Sequence, residues 1–182
     1  QSKTGGNITV LQNGAGSGPV YQWCLERVSD TYGNCINYYY DIDNAPAGKQ
    51  IYLSEIRHTG RNGSDGNYSV RFITSGDRTD ITTSGRPGFM TSTMRRLDSI
   101  AVSYSGAAIR KYVLGYEYGV FGKTRLKSIS QYDGGSRLFN THTFEYYQDA
   151  DGGSIFTTAS TDSIIERLIN ISGISLLRNI LT

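Results

Sequence analysis

Residues 25–43 read LERVSDTYGNCINYYYDID, and the fold of the chain follows from how this stretch turns. Leu25 and Val28 lie on an outgoing strand, Asp30, Thr31, Tyr32, Gly33 and Asn34 form a reversal, and a tyrosine-laden strand returns. Gly33 and Asn34 are the two residue types that enter left-handed backbone conformations at little cost, which gives the reversal a mechanism. Cys35, Ile36, Tyr38, Tyr39 and Tyr40 suit a pleated, half-buried surface, and Asp41 with Asp43 and Asn44 is expected to end the run. Gly33→Val should then destabilise this hairpin, since a β-branched residue resists positive φ.

The same phrase recurs along the chain. Leu53-Ser54-Glu55-Ile56 leads through a Gly/Asn/Asp loop to Tyr68-Ser69-Val70-Arg71-Phe72. Leu97-Asp98-Ser99-Ile100 leads through Ser105-Gly106 to Tyr112-Val113-Leu114-Gly115-Tyr116, and Leu126-Lys127-Ser128-Ile129 leads through Gly134-Gly135 to Phe144-Glu145-Tyr146-Tyr147. The spacing, roughly 30 to 45 residues, is that of repeat architectures. A Leu-x-x-Ile spacing is helical on its face, but these runs are short, Ser-rich and bounded by Gly. They read as strands carrying a bulge or a strong twist. The expected fold is mainly β, with antiparallel hairpins forming a curved, twisted sheet or sandwich.

These phrases carry a family resemblance. Val28-Ser29-Asp30-x-x-Gly33-Asn34-x-Ile36-x-Tyr38-x-Tyr40-Asp41 resembles the repeat of the RHS/YD-repeat proteins. The succession Arg95-Arg96-Leu97-Asp98-Ser99-Ile100-Ala101-Val102, Arg110-Lys111-Tyr112-Val113-Leu114-Gly115-Tyr116 and Arg125-Leu126-Lys127-Ser128-Ile129 is similar to a narrower branch. That branch holds the amino-terminal region of insecticidal toxin-complex B subunits and related Salmonella-type virulence plasmid proteins. Thr143-Phe144-x-Tyr146 fits it too, and the resemblance covers residues 21–147. It implies a non-catalytic scaffold segment of a large secreted or surface toxin protein, contributing to a shell that encloses or delivers a toxic carboxy-terminal domain. The implied partners are the remaining parts of its own parent protein or other toxin-complex subunits.

Composition agrees with strands and turns: 14 Tyr and 22 Gly stand against 3 Pro, 2 Met and 1 Trp in 182 residues. A net charge of +2 with interspersed signs gives no clustered basic face for nucleic acid. No apolar run reaches the length of a membrane span. Gln1, in place of an initiator methionine, suggests a processed or excised piece. Cys24 and Cys35 flank the first turn unequally, and at about 3.3 Å per residue their Cα atoms exceed the roughly 7 Å limit for bridging. Both are expected to be free.

Other candidate chemistry is thin. Gly14-Ala15-Gly16-Ser17-Gly18-Pro19 lacks the Lys-Ser/Thr and helix of a phosphate loop. Asp41-x-Asp43-Asn44 and Asp149-x-Asp151 lack the ligand spacing of a calcium loop. His58 and His142 belong to no metal-binding cluster, and His58 is placed at a strand end. Thr91-Ser92-Thr93 with Arg57 faintly echoes ADP-ribosylating sites, but no Glu-x-Glu follows. No catalytic residue, cofactor or metal is assigned.

The loop at residues 59–67 holds Asn-Gly and Asp-Gly and is expected to project from the sheet. Residues 43–49 (DNAPAGK) read as a loop, and residues 75–93 as the least regular part, where an extra binding surface would be sought. Residues 1–148 form the expected β domain. Residues 149–182 read as a linker and a short helical tail, from the Ser163-x-x-Glu166 capping form and the following apolar stripe. The structural residues singled out are Gly33, Asn34, Tyr38, Tyr40, Leu97, Ile100, Tyr112, Tyr116, Leu126 and Ile129. The alternative function is a carbohydrate-binding or adhesion β-sandwich using Trp23 and exposed tyrosines as ligand platforms. Rings stacked across strands would favour the scaffold, and coplanar exposed rings along one groove would favour sugar binding.

Overall fold

In a computed structural model of the chain, residues 9–13, 18–76, 78–119 and 122–146 are described. Tyr146 apart, they belong to one compact unit, Gln1–Glu145. The linker and helical tail expected over 149–182, and most of the glycine-rich run at 14–19, lie outside the described residues.

The described residues are nearly all in antiparallel β-structure. A small hairpin, β1 (Val10–Gln12) with β2 (Val20–Trp23), precedes a ten-stranded open sheet. Its strands are β3 (Arg27–Ser29), β4 (Asn34–Ala45), β5 (Gly48–Arg61), β6 (Tyr68–Ser75), β7 (Thr82–Ser84), β8 (Thr91–Thr93), β9 (Arg96–Tyr104), β10 (Ala107–Tyr118), β11 (Thr124–Asp133) and β12 (Leu138–Thr143). The main path runs β12-β11-β10-β9-β6-β5-β4-β3, a meander in which each hairpin lies beside the next. The β7–β8 hairpin is inserted between β6 and β9 and docks on β5 through one parallel pairing, Lys49 with Thr91.

The Leu-x-x-Ile phrases now have a cause. The register slips by one residue opposite Leu53 to Glu55, opposite Leu97 to Ser99, and opposite Leu126 to Ser128. In each case the residue after the leucine (Ser54, Asp98 or Lys127) is the extra one. Side chains alternate faces along a strand, so residues three apart would point oppositely. One bulged residue returns both apolar side chains to the same face. The first phrase differs, for Leu25 precedes β3 and the β3–β4 register is unbroken.

Three hairpins share one turn. In each, the backbone N–H of residue i+3 donates to the carbonyl of residue i, at Asp30/Gly33, Gly119/Gly122 and Asp133/Ser136. The i+3 residue takes positive φ each time: +85° at Gly33, +66° at Gly122 and +64° at Ser136. Asp30 accepts from the amides of Tyr32 and Asn34, and Asp133 from those of Gly135 and Arg137, so the carboxylate fixes the loop. The side-chain bond from Asn34 also holds the Asp30 carboxyl below its usual range. Asn34 is thus an extended strand residue, and Gly33 alone supplies the left-handed step.

A Cβ on Gly33 would stand 2.4 Å from Asn62 Oδ1, besides the strain of its φ. Gly33→Val is expected to lower stability by about 2 kcal/mol, read from the urea midpoint. Ser136→Gly relieves the same strain where serine now bears it, and a gain of about 0.5–1 kcal/mol is expected. An unchanged midpoint in both variants would mean this turn is misassigned.

Four expectations are corrected. Residues 43–49 are no loop: pairing continues past the aspartates, Asp43 with Gln50 and Asn44 with Lys49, and runs to Ala45 with Gly48, leaving Pro46 and Ala47 as the turn. The last return strand is Leu138–Thr143, before Phe144 rather than from it, since the tight turn at Asp133 brings the chain back at once. His58 lies inside β5, not at its end, because β5 runs on to Arg61. The loop before Tyr68 does not project, for reasons given below. Cys24 and Cys35 are both free.

Little is buried. Among the described residues the buried apolar side chains are Leu11 (2% exposed), where β1 lies against β5, and Cys35 (4%). A single sheet layer leaves its apolar side chains half-covered, and this property frames the function.

Candidate functional site

The register sorts the side chains into two faces of different chemistry. Tyr38 stands opposite Ile56, Ile56 opposite Val70, and Val70 opposite Val102. One step along, Phe72, Ile100 and Tyr112 form a second row, and Leu114 faces Ile129. Through the bulges, Tyr40 with Leu53, Leu97, and Tyr116 with Leu126 fall on the same side. All eight of the apolar or aromatic structural residues singled out from sequence therefore share one face. On it His58 stacks on Tyr68 with ring centroids 5.0 Å apart and planes 11° from parallel, and Tyr68 meets Tyr104 at 4.7 Å. Such cross-strand ring pairs tie β5, β6 and β9 together. Tyr40 and Tyr116 donate their hydroxyls to the carbonyls of Leu25 and Leu97, so their polar ends are satisfied within the sheet.

The opposite face is mixed, with small polar and charged residues set among Tyr39, Tyr52, Ile73, Val113 and Tyr132. Ser69 and Ser103 share a 2.7 Å hydrogen bond across β6 and β9, and Ser130 meets Thr141 at 3.0 Å. Ser99 is 7% exposed between Ile73 and Val113. On this face the loop at 62–67 folds back over β4 and β5. Asp65 accepts from Asn37 Nδ2 at 2.6 Å and from the Tyr39 hydroxyl at 2.6 Å, with the Arg57 guanidinium at 3.7 Å. Arg57 also pairs with Glu55 at 3.2 Å. Arg27 donates to Asn37 Oδ1 at 2.8 Å and to the Gly63 carbonyl at 2.7 Å. Asn37 is 2% exposed at the centre of this latch. Burial, then the bond to Asp65, pushes the Tyr39 phenol up to about 12, so it stays a donor through neutral pH.

A second latch fastens the irregular stretch before β9. Asp80 accepts from Thr124 Oγ1 at 2.6 Å and Thr124 N at 3.2 Å, and pairs with Arg78 at 3.0 Å. These bonds, led by the Thr124 hydroxyl, hold the Asp80 carboxyl down at about 2. Ser92 is fully buried and donates to the Ala47 carbonyl at 2.6 Å, while Gln50 donates to Thr93 at 3.0 Å. The stretch is thus a clasp on β5 and β11 rather than an open loop. Because the folded pKa of Asp80 lies below its unfolded value, its stabilisation is present above about pH 4 and is lost as pH falls towards 2. Urea midpoints of the native chain and of Asp80→Asn should differ at pH 6 and converge between about pH 4 and 2. A constant gap down to pH 2 would refute the latch.

The remaining sequence candidates have structural duties. Asp41 and Asp43 face Arg95 at 3.8 Å and 3.2 Å, and Arg95 lies 5.3 Å over the Tyr52 ring, whose hydroxyl accepts from the amides of Met94 and Arg95. That pairing engages both carboxylates of the Asp41-x-Asp43 motif. Arg57 is held in the Asp65 latch and the Ser92 hydroxyl by Ala47, so the fold gives each its own partner. Trp23 is 66% exposed, and Tyr21 meets Phe89 edge-on at 6.4 Å. His142 lies 3.4 Å from Asn140 at the β12 edge. Asn37, Asp65 and Asp80 were missed in the sequence, where each reads as an ordinary strand or turn residue.

No family model matches the chain, and no curated protein does. Solved structures do. The TcdB2–TccC3 structure without its hypervariable C-terminal region matches with a TM-score of 0.58 at 15% identity, over 72% of this chain. The TcdB2–TccC3–Cdc42 structure gives 0.58 at 14% identity over 71%, and the Photorhabdus luminescens Tc holotoxin pore 0.57 at 13% over 71%. The sheet has a toxin-complex-like fold. This chain spans 9% of the length of those chains. In the toxin-complex-like sheet the aromatic face and the two latches are built from side chains that bind neighbouring strands. Among the described residues, no helix is long and apolar enough to cross a membrane.

Proposed function

We propose that the chain is a non-catalytic structural wall segment of a larger secreted toxin-type protein. On this reading it serves a shell that encloses or delivers a toxic domain. Its partners are the remaining parts of that parent protein or other toxin-complex subunits, and it needs no cofactor. One observation carries the reading: a sheet one layer thick whose aromatic face is half-covered and cross-linked by ring pairs. Such a face is stable as part of a wall and wasteful as a free module, because its apolar area is removed from water only when something lies against it. The fold likeness to toxin-complex structures points the same way.

The carbohydrate reading keeps the argument of exposed rings, Trp23 first among them at 66%. Four tyrosines give it none, since Tyr68 and Tyr104 are stacked across strands and Tyr40 and Tyr116 donate to backbone carbonyls; Tyr32 and Tyr118 stay exposed, at 81% and 55%. A glycan array run beside light scattering separates the two. The wall reading expects no saturable sugar binding and a mass that grows with concentration. Saturable binding by a monomer, lost in Trp23→Ala, would replace it with the carbohydrate reading.

A further inference from the structure

We propose that the free edge of β3 is a preformed acceptor for an extended peptide strand that carries basic residues on either side of an apolar one. The hydrogen-bond pattern settles which groups point outwards. Asp30 N–H bonds to the Asn34 carbonyl and Tyr38 N–H to the Glu26 carbonyl, so residues 26, 28 and 30 turn their backbone groups towards β4. Alternation then turns the N–H and C=O of Arg27 and Ser29 away from the sheet. Among the described residues nothing pairs with them. A groove of about 450 Å³ follows this edge, lined by Leu25, Arg27, Val28, Ser29, Asp30 and Thr31, with Leu25 52% and Val28 46% exposed.

Sheet edges are normally blunted by a bulge, a proline, a lysine or an outward charge. The far edge follows that rule: β12 carries Phe139 as an extra residue between its pairings of Asn140 and Leu138. The β3 edge does not. Its register is unbroken, and its one cation, Arg27, is drawn back over its own sheet by Asn37 and Gly63. The Asp30 carboxylate and the turn amides it binds hold the strand end in place.

The flanking charges name the occupant. Glu26, Val28 and Asp30 lie on one face of the edge, acid, apolar and acid in turn. One oxygen of Glu26 meets Thr9 N at 2.8 Å, and among the described residues no hydrogen-bond donor reaches Oε2. An incoming strand is therefore best matched with lysine or arginine opposite Glu26 and Asp30 and an aliphatic residue opposite Val28. A second copy fits worse. Antiparallel pairing of two such edges about Val28 would set Glu26 of each against Asp30 of the other, and like charges directly opposed are destabilising. The proposal deepens the wall reading by naming one contact of the wall, and it rests on that reading for its biological setting.

The test uses the full 182-residue chain labelled for amide NMR, with the end-blocked peptide Thr-Lys-Thr-Val-Thr-Lys-Thr as probe. Saturable slowing of hydrogen exchange at the Arg27 and Ser29 amides is expected. Replacing both peptide lysines with glutamate should weaken binding by about tenfold or more. Ser29→Pro removes an outward N–H that the fold does not use, so it should retain the native spectrum and lose the binding. If that variant unfolds, Val28→Lys keeps every backbone donor and should also lose binding. Unchanged exchange at Arg27 and Ser29 with peptide in excess would overturn the proposal. So would equal binding of the lysine and glutamate peptides, or protection of both amides without peptide in a dimer, which would make a second copy the occupant. The wall reading fails on other readouts, saturable sugar binding and a fixed monomer mass.

Discussion

Asn37→Ala is expected to cost about 3 kcal/mol of folding free energy and to move the urea midpoint down by roughly 1–2 M. The side chain is 2% exposed and bonds to two charged groups at once, accepting from Arg27 and donating to Asp65. Hydrogen bonds to charged groups contribute about 1.5–3 kcal/mol each, and truncation leaves both partners short of one. The loss should appear in hydrogen exchange first at β3 and at residues 62–67, which meet through this amide. Asn37→Asp offers an internal check. It retains the acceptor for Arg27 but sets a carboxylate against Asp65, so its deficit should shrink when the medium is acidified through the carboxylate range. A loss below about 0.5 kcal/mol for Asn37→Ala would show that solvent replaces the latch without penalty.

Gly60→Ala should be at least as damaging, at about 3 kcal/mol, although it adds one methyl group. Gly60 is buried opposite Cys35, where a Cβ would stand 2.2 Å from the Ser64 carbonyl oxygen and 2.9 Å from Cys35 Sγ. The nearest of these is backbone, so the folded loop must shift and the Cys35 bond to Ser64 is lost with it. Gly76→Ala is the control, since nothing lies within 4 Å of its added carbon and its φ is ordinary. Urea titrations of the pair should separate by about 2–3 kcal/mol. Equal midpoints would mean that the loop at 62–67 stands clear of the first hairpin, as its sequence suggests.

That loop marks where the sequence stops being legible. Asn62-Gly63 and Asp65-Gly66 are reversal signals, and they do reverse the chain. Where the loop then goes is decided by Asp65 reaching Asn37 and Tyr39, 28 and 26 residues away. Local pattern carries no trace of such a contact, because a carboxylate in a turn reads the same whether water or an amide satisfies it. The same holds for Asp80, whose ligand Thr124 is 44 residues distant. Residues 75–93 read as irregular for want of apolar alternation. They are ordered by long-range polar bonds, among them the Ser92 hydroxyl to Ala47.

The hairpin character of the main strands was written in local chemistry. Turn residues at 30–34, at 105–106 and at 133–136 force the chain back on itself, and consecutive hairpins have few other places to lie than side by side. The apolar phrase Leu-x-x-Ile even carried its own bulge, since two side chains three residues apart can share a face of a strand only with an extra residue between them. The eight apolar and aromatic residues chosen from pattern share one face because alternation is a property of the backbone, independent of what lies above it. Which edge is blunted and which open, where the 62–67 loop lies and where Arg27 turns its charge depend on residues far apart in sequence. These were settled by packing and by long-range hydrogen bonds, whose partners are selected by distance in space and leave no period in the chain.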